Sequence, residues 1–250
     1  VLASLYAFIN YSSGVAVRLA EVTGDSIDDI VLAPGTGAGT TTQSHLRVWD
    51  GAESMKQFRA GDPFLSYNYA KWELASFYAF GGGSAPGGGL AISVIRNPGV
   101  AGGDQIVASQ LFGSGVRVFE NKNLTTPKVL NTVRDFTNTF LPTGNTSVGV
   151  NGPGGERFYI STGTNPGNKD TVYLRDQNGA ILKTVTNVFG GAQGGTRVSI
   201  QNTDQDSQYE LLVIRDTVAD LAIYDIEFNG STISLIRKGQ LARGGAGGWV

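Results

Sequence analysis

The sequence predicts an all-β fold of short antiparallel strands gathered into four repeated units. Apolar and polar residues alternate with a period of two in run after run, as in "HLRVWDG" (45–51) and "LAIYDIEFNG" (221–230). Gly, Asn and Pro separate the runs, and 36 glycines in 250 residues suit many turns better than long helices. The runs also recur in sets. "HLRVWDG", "GVRVFEN" (115–121), "VYLRDQNG" (172–179) and "LAIYDIEFNG" align on the acids Asp50, Glu120, Asp176 and Asp225.

Each aligned run stands third in a set of four. The first set reads "GVAVRLAEV", "DDIVLAPG", "HLRVWDG", "SMKQFRA", and the second "GLAISVIR", "DQIVASQ", "GVRVFEN", "PKVLNTVRD". The third reads "NTSVGVNG", "RFYISTG", "TVYLRDQ", "AILKTVTNVF", and the fourth "TRVSIQN", "YELLVIRD", "LAIYDIEF", "TISLIRKG". Four short antiparallel strands repeated in this way suit the blades of a β-propeller, whereas a β-sandwich needs no fourfold unit. The expected blades cover about 12–62, 85–136, 143–190 and 194–240 of a single domain, with 63–84 as insertion and connection. "VLASLYAF" (1–8) is left over as an extra N-terminal strand. It either joins the last blade to close a small ring or is the outer strand of a preceding blade, making the chain an arc of a larger propeller.

Composition excludes several functions. A formal charge of −2 and a pI near 5.4 give no basic footprint for nucleic acid. Without cysteine there are no disulfides, thiolate metal sites or cysteine nucleophiles. No apolar run reaches the roughly 18–20 residues of a membrane-spanning helix. Val1 opens the chain without a methionine or signal-like segment, which reads as a processed chain or part of a longer polypeptide.

Two turns concentrate oxygen-bearing side chains. "AEVTGDSIDDIVLAPG" (20–35) places Glu21, Thr23, Asp25 and Asp29 at positions 1, 3, 5 and 9, and "NTDQDSQYE" (202–210) does the same with Asn202, Asp204, Asp206 and Glu210. Alternate residues of a tight loop can point inward together, and the ninth returns an acid from the next strand. Ca²⁺ takes six to eight such oxygens. The second set is not an EF-hand, because Ser207 and Val213 stand where that motif needs Gly and Glu. The alternative is that these acids only cap their own turns.

"VAVRLAEVTGDSIDDIVLAPGTGAG…LRVWDG" (15–51) resembles the FG-GAP/VCBS repeat of integrin-like propellers and bacterial surface proteins. "YAF" at 6–8 and 78–80 resembles a feature of long bacterial arrays of that repeat. The resemblance covers all four units in outline but the ion loop in only two. It implies a secreted, extracellular or cell-surface protein, with Ca²⁺ expected at Asn202/Asp204/Asp206/Glu210 and less so at Glu21/Thr23/Asp25/Asp29. "RNPGVAGGD" (96–104) puts Arg96 where the first acid belongs, and "NGPGGERFY" (151–159) has no set of carboxylates, so no ion is expected in either.

A catalytic set is hard to assemble. His45 is the only histidine, which removes most Ser-His-Asp arrangements and zinc sites. "GTGAGT" (35–40) precedes a strand, not the helix that a phosphate loop needs. Asp28 and Asp29, adjacent on a strand, point to opposite faces and make a poor glycosidase pair. Tyr67, Tyr69 and Trp72, near Phe64, form a candidate surface for stacking on a sugar or docking a protein; packing over the first blade is the simpler reading. Asn10, Asn123, Asn145 and Asn229 begin glycosylation sequons, which matter only in a glycosylating pathway.

The function expected is therefore a non-enzymatic structural or adhesion module, with surface proteins or glycans as partners and self-assembly as an option. The alternatives are a polysaccharide lyase or hydrolase, using Arg47, Arg117 and Arg175 along one face, and a lectin using the aromatics of 64–72.

Overall fold

A computed structural model describes residues 7–8, 11, 14–35, 44–59, 72–80, 89–97, 103–121, 130–137, 144–164, 170–191, 194–204, 206, 208–215, 218, 220–230 and 232–241. They form an all-β fold of four sheets, each of four antiparallel strands in sequence order. The first sheet contains β1 (Val15–Ala20), β2 (Asp29–Pro34), β3 (His45–Trp49) and, after helix α1 (Gly51–Arg59), β4 (Glu73–Tyr78). The second contains β5 (Leu90–Ile95), β6 (Gln105–Gln110), β7 (Gly115–Asn121) and β8 (Leu130–Thr137). In the third are β9 (Asn145–Asn151), β10 (Arg157–Gly163), β11 (Val172–Arg175) and β12 (Ile181–Val185). The fourth holds β13 (Thr196–Gln201), β14 (Glu210–Arg215), β15 (Leu221–Asn229) and β16 (Thr232–Leu241).

The repeat seen in the sequence has a structural counterpart. Between its third and fourth strands, every sheet shifts register at one place: Val48/Trp49, Val118/Phe119, Leu174/Arg175 and Ile223/Tyr224. Each shift falls immediately before the aligned acid. A bulge adds local twist, so the four units bend alike at the same step.

One expected strand is a helix. Residues 54–59 of "SMKQFRA" do not continue the first sheet; they lie in α1, and the fourth strand comes from the segment read as insertion and connection. Asp50 explains the change, since its Oδ1 accepts from the Glu53 amide at 2.8 Å and its carbonyl from the Ser54 amide at 3.0 Å, an N-cap. The first unit therefore runs on to Tyr78.

The sheets stack in series, the first strand of each lying against the sheet before it. Val31, Leu46 and Val48 meet Leu90, Ile92 and Ile106 between the first two sheets. Tyr159 inserts among Ile95, Val107 and Val118 between the second and third. The largest cluster joins the last two, where Phe158, Ile160 and Leu174 face Leu211, Val213 and Tyr224. A strand covered on both sides loses the alternation of burial, and β6 is buried at Gln105 through Ser109.

Hydroxyls tie these layers together. First strands are sheet edges with unpaired amides. The Ser147 amide of β9 donates to Ser109 Oγ at 3.1 Å, and the Val198 amide of β13 to Thr146 Oγ1 at 3.2 Å. Buried serines and threonines thus satisfy edge amides that apolar residues would leave unmet. Asn145, fully buried and bonded to the Gly113 carbonyl at 2.9 Å, is closed to glycosylation.

Of the expected N-terminal strand, residues 1–6 lie outside the described residues. Ala7 and Phe8 pack with Leu32 and Trp49 on the outer face of the first sheet. Arg47 donates to the Ala7 carbonyl at 2.7 Å, with its guanidinium 6.0 Å from the Phe8 ring centroid. Arg117 repeats this on Ala79, at 2.6 Å, and Phe80, at 5.4 Å. The recurrence of "YAF" and the equivalence of Arg47 and Arg117 are therefore one feature, a cation over an aromatic ring that also binds the adjacent carbonyl.

Candidate metal centre

The fourth hairpin leaves β13 at Gln201 and enters β14 at Glu210, which are register partners. That register turns Glu210 away from the cluster shared with the third sheet and across from Asp225. Glu210 is only 2% exposed. Its Oε2 accepts from the amide and the hydroxyl of Thr203, the latter at 2.8 Å, while Oε1 is buried without a hydrogen-bond partner. Asp204 and Asp206 are exposed, yet each brings a carboxylate oxygen within 4.8 Å of the others and of Glu210. Two oxygens bound to one Ca²⁺ at about 2.4 Å are at most about 4.8 Å apart. The donor set therefore fits a hard divalent cation.

The loop itself is held by small local bonds. Asp206 Oδ1 accepts from the Gln208 amide at 2.6 Å, the Asp206 amide reaches Asp204 Oδ1 at 3.3 Å, and Asn202 Nδ2 donates to the Asp206 carbonyl. Lys238 stands nearby and bonds Asp225 at 2.7 Å. That bond, followed by the fields of Asp225, Asp204 and Asp206, raises its pKa.

In the first hairpin the carboxylates serve the backbone. Glu21 Oε1 accepts from the amides of Thr23 (3.1 Å) and Gly24, and Asp25 Oδ1 from that of Ile27 (2.9 Å). Asp29, fully buried, takes the Val22 amide on Oδ2 (3.1 Å) and the Gly51 amide on Oδ1 (3.0 Å). Only glycine fits at Gly51, where a Cβ would lie 1.9 Å from the Asp28 carbonyl oxygen. Among the described residues the sole acidic grouping close enough for a metal is that of the fourth hairpin. The equal spacing of the two loops conceals this difference.

Burial pushes the Asp29 carboxyl up to about 6, against the pull of its two amide bonds. The folded chain then holds that proton more tightly than the unfolded chain does, so the associated stability is complete below the ordinary value of 3.8 and is lost as pH rises through 6. A difference near two units corresponds to about 3 kcal/mol. Urea unfolding of wild type between pH 4 and 6.5 is expected to show this fall, and Asp29→Asn to lack that part of the slope. An unchanged slope in the variant would assign the effect to other groups.

The second hairpin has a cation of its own. The Arg96 guanidinium bonds Asp28 of the first hairpin and Asp104 of its own, the latter at 2.9 Å. Its hydrogen bond is the largest cause holding the Asp28 carboxyl below the usual range. In the third hairpin Glu156 accepts from the Gly154 amide at 3.0 Å and closes the turn without a carboxylate set.

The other candidates separate. Trp72 is 5% exposed and stacks on Trp49 at 5.5 Å, so it belongs to the interior rather than to a ligand surface. Tyr67, Tyr69 and Phe64 lie outside the described residues. His45 pairs with Ser76 across the strand at 2.8 Å, and burial lowers its pKa. Arg47, Arg117 and Arg175 do not converge: the first two bond Glu73 and Asp135 on their own fourth strands, and Arg175 bonds the Gly179 carbonyl at 2.7 Å. No described helix is long and apolar enough to cross a membrane.

No family model matches the chain, and no curated protein matches it either.

Proposed function

We propose that the chain is a non-enzymatic structural or adhesion module of an extracellular or cell-surface protein, with Ca²⁺ stiffening its fourth hairpin. The observation that carries this reading is the carboxylate trio Asp204, Asp206 and Glu210, anchored on a buried acid with one unmet oxygen. Two exposed ligands out of three suit the weak range of extracellular calcium modules, about 10⁻⁴–10⁻³ M. The engagement of His45 and the third-strand arginines in structural bonds supports the non-enzymatic part.

The finer architecture is a propeller of four blades. Its support is the serial packing of first strands and the fact that β1, β5, β9 and β13 all border one cavity of about 600 Å³. The resemblance to FG-GAP/VCBS repeats supports the same arrangement, a bacterial surface setting, and surface proteins or glycans as partners.

Calorimetric titration with Ca²⁺ tests the reading. One ion per chain is expected, with binding lost in Asp204→Asn and in Asp206→Asn and kept in Asp25→Asn. A flat titration at millimolar calcium would reduce the fourth hairpin to a capped turn.

A further inference from the structure

A second cavity, of about 640 Å³, opens where the first hairpins of the second, third and fourth sheets come together. That size is typical of small-molecule sites. Its apolar wall includes Val150, Ile200, Ile226 and Phe228. Tyr209 borders it with 54% of its surface exposed. The polar residues that border it include Gln208, Asn151 and Arg96, and among the described residues no Asp or Glu lines the space.

We propose that this cavity binds the ring of a neutral saccharide. A pyranose offers a flat face of C–H groups to an aromatic ring and a rim of hydroxyls to amides, which is the division of surface seen here. Arg96 argues against a carboxylate ligand, because Asp28 and Asp104 already neutralise its charge. Asn151 is held at the cavity by its Nδ2, which donates to the Arg96 carbonyl. The site names a ligand class for the adhesion reading above. It does not depend on the calcium reading, although Gln208 and Tyr209 stand in sequence between Asp206 and Glu210.

The test is binding of the whole chain to an array of neutral and acidic oligosaccharides, followed by calorimetry on any neutral hit, in calcium and in EGTA. Tyr209→Ala is expected to weaken binding about tenfold, a change of about 1.4 kcal/mol, while Tyr209→Phe retains it. The exposed position of Tyr209 leaves the core intact in both variants. Binding that persists in EGTA with the same dependence on Tyr209 supports the saccharide site even if calcium binding fails. The proposal is overturned if no neutral sugar binds, if acidic sugars bind in preference, or if Tyr209→Ala binds as wild type does.

Discussion

Calcium at a hundredfold excess over its dissociation constant is expected to raise unfolding stability by about 2.7 kcal/mol, and Asp206→Ala to abolish the rise. The magnitude follows from mass action, since an ion that binds only the folded hairpin must be released before the hairpin opens. The folded chain holds three carboxylates within 4.8 Å of one another, a repulsive arrangement that Lys238 relieves in part and a divalent ion would reverse. Asp206 is the informative position because it is exposed and its loss leaves the core unchanged. Glu210 is less suitable, because its removal also strips two hydrogen bonds from Thr203. Thermal unfolding in calcium and in EGTA measures the difference. Superimposable transitions would mean that the acids are turn caps alone.

Trp72→Ala is expected to cost about 3–5 kcal/mol, the range for deleting a large buried aromatic. The Trp72 ring lies nearly parallel to that of Trp49, at an interplanar angle of 25°, and the Trp72 carbonyl accepts from the Asp50 amide at 2.7 Å. Trp49 in turn packs on Phe8 and Leu32. Removing the indole opens a void beside the helix cap, at the junction where β4 begins. A tryptophan displayed for ligand stacking would leave the urea midpoint where it was, so equal midpoints would restore the surface reading.

The fourfold unit was legible because it rests on local signals: alternation, turn residues and an acid after each third strand. The helix after Asp50 carried a local signal as well. Asp50 followed three residues later by Glu53 marks a helix start, and Met55 and Phe58, three residues apart, carry a helical rather than a strand spacing. The spacing pointed to two loops, and among the described residues only Asp204, Asp206 and Glu210 bring carboxylate oxygens close enough together for a metal. Spacing shows which carboxylates can gather but not which oxygens the backbone has already taken, and Asp29 spends both on Val22 and Gly51. The Arg96 pairing with Asp28 joins residues 68 apart in sequence. The saccharide cavity draws on three sheets, so no single stretch of sequence announces it.

Arg96 also makes the two ends of the chain answerable to different conditions. Its guanidinium is covalently part of the chain and remains charged at any ordinary pH, so the clasp between the first two hairpins cannot be chelated or washed away. The fourth hairpin would borrow its positive charge from the surroundings and return it when calcium falls. Chelation should then loosen the molecule from its C-terminal sheet inward and leave the N-terminal pair of sheets as the part that still holds shape.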